Sequence, residues 1–233
     1  MFLEICAEDL AQSLAAQACG AHRVELCADL HNGGTTPSYG MLEQVSETCN
    51  IPVFAMIRPR GGDFCYSAAE LRLMLSDIRA AARAHAAGVV FGVLNNDATL
   101  NKEHNIMLLN EAHSHGLAAT FHRAIDVCRD PLHALETLME LGFENVLTSG
   151  QEVSAEKGLA LIAAMTQLAG DNLTVMAGSG VNPSNAKRFK EAGVKALHAT
   201  ARKEMQSSLH LHMGTQWQPD EEKIGGILEA ISR

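Results

Sequence analysis

"CGAHRVELC", residues 19–27, holds one structural unit. A helical stretch runs up to Cys19, Gly20 offers a C-terminal stop, and a short apolar strand follows. The same order of helix, glycine and strand returns in "AAGVVFGVL" (86–94), "HGLAATFHR" (115–123), "LGFENVLTSG" (141–150), "AGDNLTVMAG" (169–178) and "EAGVKALHAT" (191–200). Their stops are Gly88, Gly116, Gly142, Gly170 and Gly193. "LEIC" (3–6) and "IPVFAMIR" (51–58) complete eight strand candidates. These lie near residues 3–6, 23–27, 52–58, 89–94, 117–122, 145–149, 173–177 and 195–199.

Helix starts are also legible. Ser67 with Glu70 fits a capping box, while Asp130-Pro131 and Asn182-Pro183 each place a capping residue before a proline at the first helical position. "PDEEKIGGILEAISR" supplies a last helix. No linker or composition break interrupts the chain, so residues 1–233 read as a single domain. Strands alternating with helices leave a closed (β/α)8 barrel of the TIM type or an open doubly wound sheet. The early GxGxxG of a dinucleotide fold is absent, and polar residues end many strands rather than one. The barrel is the expected fold.

The charge balance is 18 basic against 27 acidic residues, a net of −9. That disfavours nucleic acid and anionic membrane as partners. No apolar run reaches the roughly 18 residues of a membrane span, and no basic-then-apolar leader opens the chain. The expectation is a cytoplasmic protein. Its six cysteines form no CxxC pair and read as free thiols in a reducing compartment.

In such a barrel the functional face lies at the C-terminal ends of the strands. The strand ends gather Glu4, Glu25, Arg58, Asn95, His122, Ser149 and His198, with Arg60, Asp63, Arg123 and Asp126 on the loops beyond. A charged side chain facing the helix layer would be buried without a partner, so these should point inward or upward. Acids, an arginine and two histidines in one enclosure suit the binding of a small anionic metabolite, such as a sugar or its phosphate. In that reading Glu25, His122 and His198 handle protons, and whether a reaction occurs stays open. A buried ion-pair network filling the barrel floor is the structural alternative.

"MAGSGVNPSNA" (176–186) follows the seventh strand. There Gly178, Ser179 and Gly180 allow a tight turn, and a helix start at Asn182-Pro183 would favour an anion. A plain connecting turn fits the run equally well. "LHLHM" (209–213) alternates two histidines, a weak metal signal.

Side chains two apart on a strand share a face. Glu4 and Cys6 therefore point together, as do Glu25 and Cys27. Neighbouring first and second strands would bring the two thiols within several ångströms, subject to barrel stagger. Two sulfurs suit Cu(I) better than zinc, which recruits four ligands in a structural site. Two thiols packed in the core fit the same pattern.

"RVELCADLHNGGTTPSYG" (23–40), "IPVFAMIRPRGGDF" (51–64), "VFGVLN" (90–95), "FHRAID" (121–126) and "ALETLMELGFENVLTSG" (134–150) closely resemble the copper homeostasis protein CutC family. The resemblance runs from residue 3 to about residue 201. It implies a cytoplasmic (β/α)8 barrel, homo-oligomeric with a dimer favoured, and a link to copper. It also implies Cu(I) held by Cys6 of "LEIC" and Cys27 of "VELC".

Overall fold

The computed structural model describes residues 1–205 and 215–232. Eight parallel strands close into a barrel: β1 (Phe2–Ala7), β2 (Arg23–Leu26), β3 (Val53–Met56), β4 (Gly88–Phe91), β5 (Ala118–Phe121), β6 (Asn145–Thr148), β7 (Thr174–Ala177) and β8 (Ala196–Thr200). Each pairs with the next in chain order, and β8 returns to β1. That closure sets Glu4 opposite both Arg23 on β2 and His198 on β8.

Eight helices follow the strands: α1 (Leu10–Ala18), α2 (Tyr39–Thr48), α3 (Ala68–Arg83), α4 (Lys102–Ser114), α5 (Pro131–Leu141), α6 (Leu159–Ala169), α7 (Ala186–Glu191) and α8 (Glu221–Ser232). Strand alternation divides the interior into two environments. Leu3, Ile5, Val24 and Leu26 join the main apolar core together with helix residues such as Leu42, Met74 and Ile78. The alternate positions face into the barrel. There Cys6 and Cys27 pack with Phe54, Met56 and Val90, while Leu147, Met176 and Ala196 form a separate small cluster.

Ser67 makes the full capping box with Glu70, and Asp130 caps α5 ahead of Pro131. Two local expectations need correction. Gly88 does not stop α3; it opens β4, and the left-handed residue after α3 is His85, at φ 58°. A Cβ on Gly88 would lie 2.5 Å from the Phe54 ring and 2.7 Å from the Ala118 carbonyl, so this glycine makes room inside the barrel. Likewise α7 starts at Ala186, not at Asn182-Pro183. The Asn182 side chain accepts from Ser184 N and Oγ, closing a turn before the helix instead.

A two-stranded antiparallel ribbon, β9 (Arg202–Glu204) with β10 (Trp217–Pro219), extends beyond β8. Arg202 lies 4.3 Å from the Trp217 ring centroid and pairs with Glu8 just after β1. The histidines of 209–213 lie outside the described residues. No described helix is long and apolar enough to cross a membrane.

Candidate functional site

The floor of the site is a buried charge network assembled by β1, β2 and β8. Glu4, fully buried, accepts from Arg23 Nε at 2.5 Å and meets His198 Nδ1 at 2.7 Å. The Arg23 guanidinium lies 4.0 Å from the Phe54 ring centroid, so its charge is capped by an aromatic face. Burial opposes the Glu4 charge, but Arg23 and His198 outweigh it and hold the carboxyl at about 2. His198 Nε2 lies 3.8 Å from Glu25 Oε2. Burial works against the imidazolium too, yet Glu25, Cys6 and Glu4 together raise its pKa well above the ordinary value.

The sulfurs sit on the same floor. Cys6 Sγ and Cys27 Sγ are 3.7 Å apart, and Cys27 Sγ is 3.4 Å from Glu25 Oε2. The hydrogen bond with Cys27 lowers the Cys6 thiol most, burial opposes it and His198 adds, leaving it at about 5. Cys27 moves the other way, well above its ordinary value, because the same bond and burial favour its proton. Burial first, then the Cys6 charge, also push Glu25 up. The opposite shifts within this buried cluster therefore favour charge on Cys6 and His198 and a proton on Cys27. Cys6, Glu25 and Cys27 form one group able to hold a metal ion, and Glu4, Glu25 and His198 a second.

Above this floor opens a cavity of about 390 Å³ at the C-terminal ends of the strands. Cys6, Glu25, His198, Arg58 and His122 line it, as do Ser179 and Gly180. Cys27 does not border it, so the pair meets the cavity through Cys6. Gly178 packs against Leu147 and His198 instead.

His122, which follows β5, is 3% exposed. Burial, helped by the Arg58 charge, pushes its pKa down to about 3, so the ring is neutral. Its Nδ1 accepts from Ala124 N at 3.3 Å, which leaves the proton on Nε2. That Nε2 is buried and has no partner among the described residues; nor has Glu25 Oε1.

The other polar residues serve the loops. Arg58 donates to the carbonyls of Asn32, Gly34 and Gly62 at 2.9–3.0 Å, which ties two glycine loops together. Asp126 accepts from Thr148 Oγ1, Ser149 N, Ser149 Oγ and Arg123. It borders the cavity, whereas Ser149 is buried and does not, its single hydroxyl proton shared between Asp126 and Glu152 O at 2.7 Å. Asn95 spends its amide on Thr99, Leu100 and Asn101 and does not border the cavity.

Two further residues matter. Arg23 shares a face with Glu25 and Cys27 by the same two-residue spacing, so that rule would have found it. Lys223 borders the cavity from α8 and donates to Thr200 O at 2.7 Å. No local pattern points to it.

The model of the CutC family matches residues 1–203. The chain belongs to this family. A CutC family protein of Klebsiella pneumoniae is 44% identical over 94% of this chain and 87% of its own length. A human protein named as a copper homeostasis protein cutC homolog is 45% identical over 89% of this chain and 76% of its own. A solved CutC structure from Streptococcus agalactiae superposes with a TM-score of 0.81 at 34% identity, covering 86% of this chain and 98% of that one. A thiamine phosphate pyrophosphorylase from Pyrococcus furiosus, TM-score 0.62 at 12% identity, shares the fold alone.

Proposed function

We propose that this CutC-family barrel acts in copper homeostasis by holding Cu(I) between Cys6 and Cys27. The observation that carries the reading is the 3.7 Å approach of the two sulfurs from neighbouring strands. The donor set fits a soft monovalent ion. Two sulfurs packed against Phe54, Met56 and Val90 offer a low-coordinate, water-poor seat, whereas zinc would look for four ligands. Charge agrees as well. Cu(I) with two thiolates carries one negative charge, and the His198 imidazolium stands beside Cys6 to balance it. The second group suits a metal less, because Glu4 already spends its charge on Arg23 and His198.

A reducing cytoplasm, the compartment we propose, keeps the pair as free thiols. Cu(I) must displace the Cys27 proton, so apparent affinity should rise with pH. Anaerobic titration against a competing Cu(I) chelator measures this directly. Binding should vanish in the Cys6→Ser, Cys27→Ser double variant. It should persist in Cys19→Ser, Cys49→Ser and Cys128→Ser, whose thiols lie outside the pair. A double variant that binds Cu(I) as well as the parent disproves the site.

A further inference from the structure

The cavity above the sulfurs has features that a copper seat does not need. Three of the residues that line it carry a buried polar atom without a partner among the described residues: His122 Nε2, Glu25 Oε1 and Arg58 Nε. All three residues are at most 4% exposed, so bulk water does not substitute for the missing bonds. A buried donor or acceptor left unmade is costly, and such atoms are a small minority in folded proteins. The three residues line one enclosure, where one ligand can answer His122 and Glu25.

The chemistry of that ligand follows from the lining. His122 presents an N–H and therefore asks for an acceptor oxygen. Glu25 Oε1 lacks a partner, and a hydroxyl group, which both donates and accepts, answers it in either protonation state. Arg58, Arg123 and Lys223 line the cavity together with Glu25, Asp126, Cys6 and His198, so cationic groups gather there in a chain of net charge −9. Arg58 gives its two terminal nitrogens to loop carbonyls and Arg123 is paired with Asp126 and Ser149, which leaves Lys223, with only one N–H committed to Thr200 O, as the cation at the rim for an anion. Met56, Phe64 and Leu147 add apolar wall. A volume of about 390 Å³ lies in the range of small-metabolite sites.

We infer that the cavity is a binding site for a small hydroxylated anion, its oxygens meeting His122 Nε2 and Glu25 Oε1 and its phosphate or carboxylate group lying toward Lys223. This site is separate from the Cu(I) reading and stands whether or not copper binds. Cys6 forms part of its floor, so a bound anion would also cover the sulfur through which the pair meets the cavity.

The test uses copper-free protein with glycerol 3-phosphate, gluconate and inorganic phosphate as probes. Thermal shift reads binding by mass action. ¹⁵N-histidine spectra report on His122 Nε2 directly. The inference expects a saturable rise in Tm with glycerol 3-phosphate or gluconate that exceeds the rise with inorganic phosphate, and a shifted His122 Nε2 resonance. Which of the two organic probes binds assigns the anionic group. Lys223→Met should weaken binding about tenfold, and His122→Phe should abolish it. Should His122→Phe fail to fold, Lys223→Met and the His122 resonance in the parent still decide. No shift with any probe overturns the site. So does an equal shift with inorganic phosphate that Lys223→Met leaves unchanged, which would mark an adventitious anion only.

Discussion

His198 and His122 both turn into the barrel, one from β8 and one just past β5, and both are buried. Their surroundings drive them apart. His198 stands among Glu4, Glu25 and Cys6 and is held charged; His122 stands beside Arg58 and is held neutral at about 3. The comparison extends to the walls they belong to. The β1–β2–β8 wall is an ion network with a soft sulfur pair, whereas the β5–β6 wall is a set of hydrogen-bonded loops around one open donor. One residue type at comparable depth thus does two kinds of work, and the neighbouring charges decide which.

The largest expected effect breaks the first wall. Glu4→Gln leaves the Arg23 guanidinium buried against Phe54 without its counter-ion. Removing one partner of a buried pair costs about 3–5 kcal/mol. Urea unfolding should show that loss, and His198 should titrate lower in the variant. A loss below about 1 kcal/mol would mean that the pair contributes little to stability.

A smaller effect is expected on the second wall. Asp126→Asn weakens the bonds from Thr148 Oγ1, from Ser149 and from Arg123 that fix the end of β6. Hydrogen bonds to a charged group are worth about 2 kcal/mol net, and the asparagine retains some of them. Stability should therefore fall by about 2 kcal/mol or less, with the Glu4–His198 contact unchanged in NMR. If the His198 resonances move as they do in Glu4→Gln, the two walls are coupled and the comparison fails.

The same contrast separates what the sequence makes legible from what it does not. The eight strands were readable to within about two residues at most ends because each carries an apolar run, and several follow a glycine helix stop. The two-residue spacing of Glu4 with Cys6, and of Glu25 with Cys27, placed all four on the interior face. Gly88 misled, since a glycine that admits a neighbouring ring looks in sequence like one that ends a helix. The short β9–β10 ribbon gave no signal, because "RKE" and "WQP" lack alternation. Lys223 reaches the cavity from a helix 23 residues beyond Thr200, a placement set by tertiary packing rather than any motif. Spacing also left the split between the histidines open, because it depends on which charges barrel closure brings alongside them.

The most delicate test of the contrast is the pH dependence of stability. His122 has a folded pKa of about 3 against an ordinary 6.5. Its stabilising contribution is complete above pH 6.5 and is lost as pH falls toward 3, at up to about 1.4 kcal/mol per pH unit. His198 has a raised folded pKa, so its contribution is complete below 6.5 and is lost as pH climbs through the folded value. Glu4, held at about 2, contributes above its ordinary 4.5 and loses that contribution as pH falls from 4.5 toward 2. Cys6, held at about 5, adds its own slope at higher pH, so differences between parent and variant are the quantities to read. The stability of the parent relative to His122→Asn should fall below pH 6.5, while that relative to His198→Asn should fall only on the alkaline side. Urea midpoints between pH 4 and 9 would record both differences. Two difference curves that bend on the same side would mean that one environment governs both rings, and the division of the barrel into a charged wall and a neutral one would be wrong.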